Sequence, residues 1–229
     1  MLHNYQKEDK LIVAVDCIIF GFDTENLKVL LIKRGFEPKK GNWSLMGGFL
    51  KKDETLNEAA QRVLIKLTGL NNIYMEQLEA YSEVDRDPVE RTISVAYSTL
   101  INIQNHEKEP QQQYSAKWFA VDDLPKLVFD HNSMLKRAMR RLRHKTTIQP
   151  IGLELLPEKF TMLQLQKLYE AILNKKLDKR NFVNKINSLK ILIKLSEKDK
   201  RSSRKGSFLY QFDQKVYQEK VTSGFDFRL

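Results

Sequence analysis

The chain of 229 residues is 41% hydrophobic and 30% charged, a composition that supports a packed core and excludes a largely disordered protein. Its net charge of +10 is divided unevenly: residues 1–135 hold 16 basic and 20 acidic residues, whereas residues 136–229 hold 23 and 9. The basic half favours a polyanionic partner, although a solvated surface would carry the same charge.

Nucleic acid is favoured over a membrane as this partner, because no strongly apolar helix face accompanies the basic residues. The most apolar run, 11–22, is interrupted by Asp16 and is too short to span a bilayer. The first ten residues are polar and show no secretory signal, and the single cysteine, Cys17, excludes an intrachain disulfide. We therefore expect a cytoplasmic protein with two modules.

Apolar patterns predict a layered α+β fold for the first half of the chain. Strands at 11–20 and 27–33 are predicted to form a hairpin across the turn at 21–26. A helix is predicted over 55–68, because apolar residues recur at i, i+3 and i+4, and Gly69 suits its end. Further predictions are strands at 74–81, 91–103 and 117–121, an exposed loop at 104–113, and a helix at 129–143 with basic last turns.

A different pattern follows a predicted linker at 146–157. Thr161 and Asp178 are suitable N-caps for two successive helices, the second with Phe182, Ile186 and Leu189 on its inward face. Two strand-like segments at 190–195 and 207–212 are joined by the strongly basic stretch 198–206. Two helices followed by a hairpin with a basic tip predict a winged helix-turn-helix.

The segment 48–70 resembles the Nudix box, a loop–helix–loop motif written G-x5-E-x7-R-E-U-x-E-E-x-G-U, in which U is bulky and apolar. The residues that match at the family's spacing are Gly48, Glu54, Arg62, Leu64, Gly69 and Leu70. Three acidic positions of the motif are instead occupied by Val63, Lys66 and Leu67. The resemblance implies a Nudix-type α/β/α sandwich whose box helix has lost its usual chemistry.

In Nudix hydrolases the box glutamates hold a divalent metal that assists cleavage of pyrophosphate-linked substrates. Mg²⁺ requires oxygen ligands, which lysine and leucine cannot supply. Glu54 and Glu58 still lie four residues apart, but a structural role for this pair is favoured over metal binding. We therefore expect no catalytic residue, no bound metal and no cofactor.

Nearly the whole chain resembles the Nudix-related transcriptional regulators, in which a degenerate Nudix domain senses a small molecule and a winged helix binds operator DNA. Beyond the box, the segments that carry this resemblance are 76–81, 85–88, 93–97, 124–125, 129–131, 155–157, 160–161, 165–170 and 180–182. The resemblance implies a sensor domain at 1–145, a winged helix DNA-binding domain at 146–229, and a homodimer that binds double-stranded operator DNA.

The effectors known for this family are ADP-ribose and pentoses such as L-arabinose or xylose. Without the metal-binding carboxylates, the chain lacks one common means of holding a pyrophosphate. A pentose is therefore favoured as the effector, and ADP-ribose is the next candidate.

The outward face of the second predicted helix provides candidates for reading DNA bases, because Arg, Lys and Asn pair with base edges in the major groove. These candidates are Lys179, Arg180, Asn181, Asn184, Lys185 and Ser188. Wing residues usually contact phosphates or the minor groove, which suits Lys200, Arg201, Arg204 and Lys205.

The resemblance places the effector in a pocket between the sheet and the box helix. Charged groups mixed with an aromatic suit a polyhydroxylated ligand, because carboxylates and lysine bond hydroxyls and tryptophan packs on a sugar ring. The effector-binding candidates are Asp16, Lys33, Trp43, Glu83, Asp85, Arg86 and Asp87. Residues 129–131 are expected to anchor the helix that follows them.

Two other functions are alternatives to a regulator. The first is a Nudix hydrolase that acts on nucleoside diphosphate derivatives and depends on Glu54. The second is an RNA-binding or scaffolding protein, which would also use the basic half of the chain.

Overall fold

The computed structural model describes residues 8–69, 71, 73–103, 115–200 and 205–223. The first half contains seven strands and two helices: β1 (Ile12–Phe22), β2 (Leu27–Lys33), β3 (Trp43–Ser44), β4 (Met46–Phe49), α1 (Leu56–Thr68), β5 (Glu76–Tyr81), β6 (Thr92–Asn102), β7 (Lys117–Ala120) and α2 (His131–Ile148). After a 3₁₀ turn at Leu153–Leu155, the second half contains β8 (Phe160–Thr161), α3 (Met162–Leu173), α4 (Lys179–Leu189), β9 (Leu192–Asp199), β10 (Ser207–Phe212) and α5 (Gln214–Thr222).

A mixed seven-stranded sheet forms the first half of the protein. Its strands run in the order β3-β2-β1-β6-β5, while β4 also pairs with β1 and β7 with β2. The central pair, β1 and β6, is parallel from Ile12↔Thr92 to Phe22↔Asn102, and the other pairs of the sheet are antiparallel. The strand β1 thus lies at the middle of the sheet and is covered on both faces.

Alternate side chains of β1 pack against different helices, because successive residues of a strand point to opposite faces of the sheet. Val15 and Ile19 belong to the apolar cluster that includes Val63 of α1. Ile18 and Phe20 belong to the cluster that includes the buried side of α2. A sheet with one helix on each face confirms the predicted Nudix-type α/β/α sandwich.

The box helix α1 is defined at both ends by local chemistry. The Thr55 hydroxyl accepts a hydrogen bond from the Glu58 N–H, and the Glu58 carboxylate accepts one from the Thr55 N–H, which forms a capping box. Gly69 ends the helix in the left-handed conformation with a φ of 75°. The predicted helix over 55–68 is therefore confirmed.

The second half has the predicted winged helix arrangement. Thr161 caps α3 together with Gln164, and the Asp178 carboxylate accepts from the Asn181 N–H at the start of α4. The strands β8, β10 and β9 form a small antiparallel sheet beside the helices. The strand predicted at 190–195 instead runs over 192–199, because Lys190 has a φ of 54° and ends α4.

The junction between the two halves is more structured than the predicted linker at 146–157. Helix α2 continues five residues past the predicted end at 143, and the 3₁₀ turn follows shortly after. A continuous apolar cluster joins Phe20 of the sheet and Leu142 of α2 to Leu168 and Phe182 of the winged helix. The final helix α5 was not predicted, and the loop predicted at 104–113 lies outside the described residues. No helix within the described ranges is long and apolar enough to cross a membrane.

Candidate ligand site and nucleic-acid interface

The carboxylates that remain in the box segment are engaged in local contacts. Glu54 accepts hydrogen bonds from Arg62 Nε at 2.7 Å and from the Lys51 N–H at 2.8 Å. The hydrogen bond with Arg62 lowers the pKa of Glu54 to about 2. Glu58 is held by its capping box with Thr55. Among the described residues, no three His, Cys, Asp or Glu side chains converge as metal ligands would.

A group of buried charged and polar side chains lies on the other face of the sheet, at the start of α2. This buried polar cluster consists of Asp16, Arg86, Asp130 and His131. The Arg86 guanidinium donates to both oxygens of Asp130, from Nε at 2.9 Å and from Nη2 at 2.8 Å, and it lies 4.0 Å from Asp16. The Arg86 side chain is only 5% exposed, so these carboxylates neutralise a charge that has left water.

His131 fixes the loop before β4 to the start of α2. Its Nδ1 accepts a hydrogen bond from the Leu45 N–H at 3.1 Å, so the proton of the neutral ring lies on Nε2, 3.7 Å from Asp16. Burial lowers the pKa of His131 and favours this neutral form. The nearby Ser44 hydroxyl donates to the Leu45 carbonyl. The side chains of Ser44, His131 and Asp16 are all buried. Ser44, His131 and Asp16 therefore act as structural supports and not as a nucleophilic triad.

Cations and aromatic rings lie close to one another near this cluster, and Phe129 makes an edge contact with His131. The Arg34 guanidinium carbon lies 3.9 Å from the centre of the Phe36 ring and 5.0 Å from that of Phe129. Lys33 Nζ lies 5.6 Å from the centre of the Trp43 ring. Burial lowers the pKa of Arg34, and the charges of nearby acidic groups oppose this shift. We call Lys33, Arg34, Phe36, Trp43 and Phe129 the aromatic rim.

Four of the seven predicted effector residues belong to these two groups, and the other three lie on a nearby loop. Lys33 and Trp43 belong to the aromatic rim, whereas Asp16 and Arg86 lie beneath it in the buried polar cluster. Asp87 accepts a hydrogen bond from the Val89 N–H at 3.0 Å, and Glu83 and Asp85 are exposed on the same loop.

The predicted location of the effector candidates needs one correction. Asp16 does not lie between the sheet and α1. It faces α2, because its neighbours on β1, Val15 and Cys17, take the face covered by α1. The prediction that residues 129–131 anchor α2 agrees with the contacts of Asp130 and His131.

Several residues of the candidate ligand site were not predicted from the sequence. Arg34, Phe36 and Phe129 were not proposed as ligand contacts, and Arg86 was not paired with Asp130. The alternation of Arg34 and Phe36 directly after a strand was the available signal. Nothing local indicates the Arg86–Asp130 pair, whose members are 44 positions apart.

The candidate nucleic-acid interface lies on α4 and on the hairpin formed by β9 and β10. The predicted base-reading residues are all at the surface, with Lys185 half-buried and the rest exposed: Lys179, Arg180, Asn181, Asn184, Lys185 and Ser188. Lys200 and Lys205 are exposed near the tip of the hairpin, while Arg201 and Arg204 lie outside the described residues.

The hairpin also carries three residues that sequence reasoning missed. Lys194 Nζ and Lys198 Nζ lie 3.9 Å and 4.5 Å from the centre of the Phe208 ring, which is 38% exposed. The irregular register between β9 and β10 brings both lysines to the same ring. The basic surface of the hairpin therefore extends from its tip along β9, beside Phe208 of β10.

A Nudix sandwich joined to a winged helix defines the class of Nudix-related transcriptional regulators. Residues 10–142 match the NUDIX domain model, and residues 152–212 match the NrtR DNA-binding winged helix domain model. The chain is 33% identical over 217 residues to the "ADPR responsive transcriptional repressor NtrR" of Acinetobacter baylyi, covering 92% of this chain and 86% of that protein. The protein belongs to this NrtR family of regulators.

Solved structures agree with this assignment. The crystal structure of Shewanella oneidensis NrtR complexed with a 27mer DNA matches with a TM-score of 0.81 and 28% identity, over 94% of this chain and 97% of that chain. The NUDIX domain of the same protein, solved with ADP ribose, matches with a TM-score of 0.53 and 29% identity, over 62% and 94% of the two chains.

An enzyme is also similar to the first half of the chain. The "ADP-ribose pyrophosphatase" of Methanocaldococcus jannaschii is 41% identical over 128 residues, which cover 56% of this chain and 73% of that protein. The sensor fold is therefore shared between regulators and hydrolases.

Proposed function

We propose that the protein is a transcriptional repressor whose affinity for operator DNA is set by ADP-ribose bound at the aromatic rim. The sensor would comprise residues 1–145 and the DNA-binding domain residues 146–229. The observation that carries this proposal is the position of α2. Its first residue, His131, lies in the buried polar cluster, and Arg143 near its other end donates to the Ile172 carbonyl of α3 at 2.9 Å.

The chemistry of the aromatic rim favours ADP-ribose over a pentose. Trp43 and Phe36 provide ring faces that can stack on adenine, and Arg34 and Lys33 provide cations for the pyrophosphate. A pentose could bond to Lys33 through its hydroxyls, but it has no anionic group to match the two cations and no base to stack on a second ring. The relatives support the same choice, because their names refer to ADP-ribose and none refers to a pentose. The pentose favoured from the sequence is thus left without support from these relatives.

On the DNA side, we propose that α4 enters the major groove. Arg180 and Asn181, in its first turn, would contact base edges, and Lys200 and Lys205 of the hairpin would contact phosphates. A homodimer would place two copies of α4 on two half-sites of one operator. Binding of ADP-ribose would favour one arrangement of α2 and α3, and it would change DNA affinity by its differential affinity for that arrangement.

The test is fluorescence anisotropy with a labelled operator duplex, titrated with ADP-ribose and, separately, with L-arabinose. We expect ADP-ribose to change the operator affinity by about 5-fold or more, and arabinose to have no effect. Arg34→Gln should bind the duplex normally and lose the response, whereas the surface variant Arg140→Gln should keep both. A response to arabinose alone, or an unchanged response in Arg34→Gln, would contradict the proposed effector site.

The same assay separates the two kinds of DNA contact. Arg180→Ala should reduce discrimination between operator and scrambled duplex by about 1–3 kcal/mol. Lys205→Ala should leave discrimination unchanged and should lower the slope of log affinity against log salt by about 1. Equal discrimination in the Arg180 variant would show that α4 does not read bases.

A second candidate function, hydrolysis of ADP-ribose, is favoured by the similarity to the archaeal pyrophosphatase. We expect no turnover, because Lys66 and Leu67 replace the acidic pair and Glu54 is held by Arg62. Incubation with ADP-ribose and Mg²⁺, followed by chromatography of the products, tests this. Turnover that disappears in Glu54→Gln would establish the hydrolase in place of our expectation.

A further inference from the structure

A cavity of about 380 Å³ lies on the α2 face of the sheet, towards the winged helix and away from the aromatic rim. We call it the junction cavity. Its walls come from β1, β5, β6 and α2, and from the segment that follows α2, and they are mainly apolar, with the polar residues Ser98 and Asn102 of β6 on either side of Leu100. The apolar residues are Phe20, Leu78, Leu100, Ala138, Leu142 and Ile151. Its volume is at the small end of the range for ligand pockets.

The mouth of the junction cavity carries an excess of positive charge. Glu76 of β5 accepts from Arg141 at 2.8 Å and 3.2 Å, and also from Lys145. Burial would raise the pKa of Glu76, but the hydrogen bonds from these two cations lower it, so the carboxylate is ionised at neutral pH. Two cations facing one carboxylate leave a net positive charge, and they have more N–H donors than their three bonds to Glu76 use.

We propose that the junction cavity is a second small-molecule site, and that it binds a small amphipathic carboxylate with an aromatic or branched apolar body. The apolar body would fill the space between Leu100 and Leu142, and the carboxylate would lie beside Arg141 and Lys145. A neutral apolar molecule would leave this charge unmatched. The ligand class therefore differs from that of the aromatic rim.

A ligand in this cavity would affect the position of the winged helix as well as the sensor. Ile151 follows α2 directly and precedes the 3₁₀ turn, so the occupant would contact the sheet, α2 and the connection to α3 together. Ala138 and Leu142 are both buried in the cluster that continues into the winged helix. A carboxylate bound here would therefore change DNA affinity independently of ADP-ribose bound at the aromatic rim.

The test uses benzoate as the probe and benzamide as its neutral control, with binding to the full chain measured by ligand-observed NMR titration. We expect saturable binding of benzoate and at least about tenfold weaker binding of benzamide. The expected difference reflects the loss of a charge-assisted hydrogen bond. No saturable binding of benzoate, or equal binding of the two probes, would overturn the proposal.

Two variants locate the probe. Ala138→Leu fills the cavity, and the double variant Arg141→Gln/Lys145→Gln removes the charge at its mouth. Each should weaken benzoate binding by about tenfold or more.

Arg137→Gln is the matched control, since Arg137 is on the same helix but pairs with Glu79 outside the cavity, and it should bind benzoate as the wild type does. ADP-ribose affinity should be unchanged in all three variants. The test of the junction cavity is therefore independent of the test of the proposed effector site. Undiminished benzoate binding in both cavity variants would place the probe elsewhere and refute the site.

Discussion

The two helices that cover the sheet satisfy their charged side chains in different ways. In the α1 region, Glu54 bonds with Arg62 and Glu58 with Thr55, so the ionic contacts stay within the box segment. The ionic groups of α2 reach distant parts of the chain. The pairs that do so are Asp130–Arg86, Arg137–Glu79, Arg141–Glu76 and Lys145–Glu76.

This difference indicates which helix can transmit a change. A helix whose ionic contacts are local can keep its structure while the rest of the molecule rearranges. A helix that is bonded at one end to a ligand site and at the other to the winged helix couples those regions, because both ends favour particular positions of the same rigid element. On the proposed function, the box helix α1 would serve as scaffold and α2 would connect the two regions.

The largest expected effect is that of removing the buried anchor of α2. Asp130→Ala leaves the Arg86 guanidinium buried with only the more distant Asp16 beside it, and it should lower the free energy of unfolding by about 3 kcal/mol. Urea denaturation followed by circular dichroism measures this. The exposed Asp123→Ala is the matched control. Equal midpoints for the two variants would mean that the cluster does not hold α2.

A smaller effect on stability, but a specific effect on regulation, is expected at the other end of α2. Arg143→Met removes the hydrogen bond to the Ile172 carbonyl and keeps most of the apolar stem, at a cost of about 1 kcal/mol. If α2 connects the sites, the variant should bind ADP-ribose alone and DNA alone as the wild type does. The factor by which ADP-ribose changes DNA affinity should be smaller than in the wild type. Arg140→Met controls for loss of a surface charge on the same helix. Full coupling in the Arg143 variant would assign transmission to another element.

The smallest expected effect is in the box. The pKa of Glu54 is about 2 in the folded chain, below its ordinary value of 4.5. The contact with Arg62 therefore stabilises the fold fully above about pH 4.5, and this stabilisation is lost as the pH falls towards 2. The urea midpoints of Glu54→Gln and the wild type should differ at pH 7 and converge on acidification. In a double-mutant cycle, Glu54→Gln/Arg62→Gln should be no less stable than the single variants. A difference that does not depend on pH would rule out the ion pair as its cause.

Local signals in the sequence were sufficient for much of the fold. The cap residues Thr161 and Asp178 marked the starts of two helices, because a side-chain oxygen at that position satisfies an otherwise unpaired N–H. Apolar periodicity identified the inward faces of α1 and α4, and the basic stretch 198–206 marked the hairpin. The layered α+β order and the winged helix were predictable because these signals act over a few residues, and the resemblance to the Nudix box implied the sandwich.

The ligand site was predicted less completely, because its contacts join distant residues. Asp16 was placed against the wrong helix, since apolar residues continue on both sides of it and conceal which face it takes. The positions 34, 86 and 130 come together only after the sheet has formed, and no local pattern reports such a pair. The extension of α2 through 148 was hidden by polar residues that read as a linker.

The length of α2 has a mechanical consequence. Its 18 residues make a rigid rod about 27 Å long, so a tilt of only about 5° at the ligand end moves the far end by about 2 Å. Arg143 lies about 18 Å along the helix from His131 and would move by about 1.6 Å, which is enough to stretch its 2.9 Å hydrogen bond to the Ile172 carbonyl beyond the usual range. On the proposed mechanism, a small tilt of α2 at Asp130 would therefore weaken the contact of Arg143 with α3.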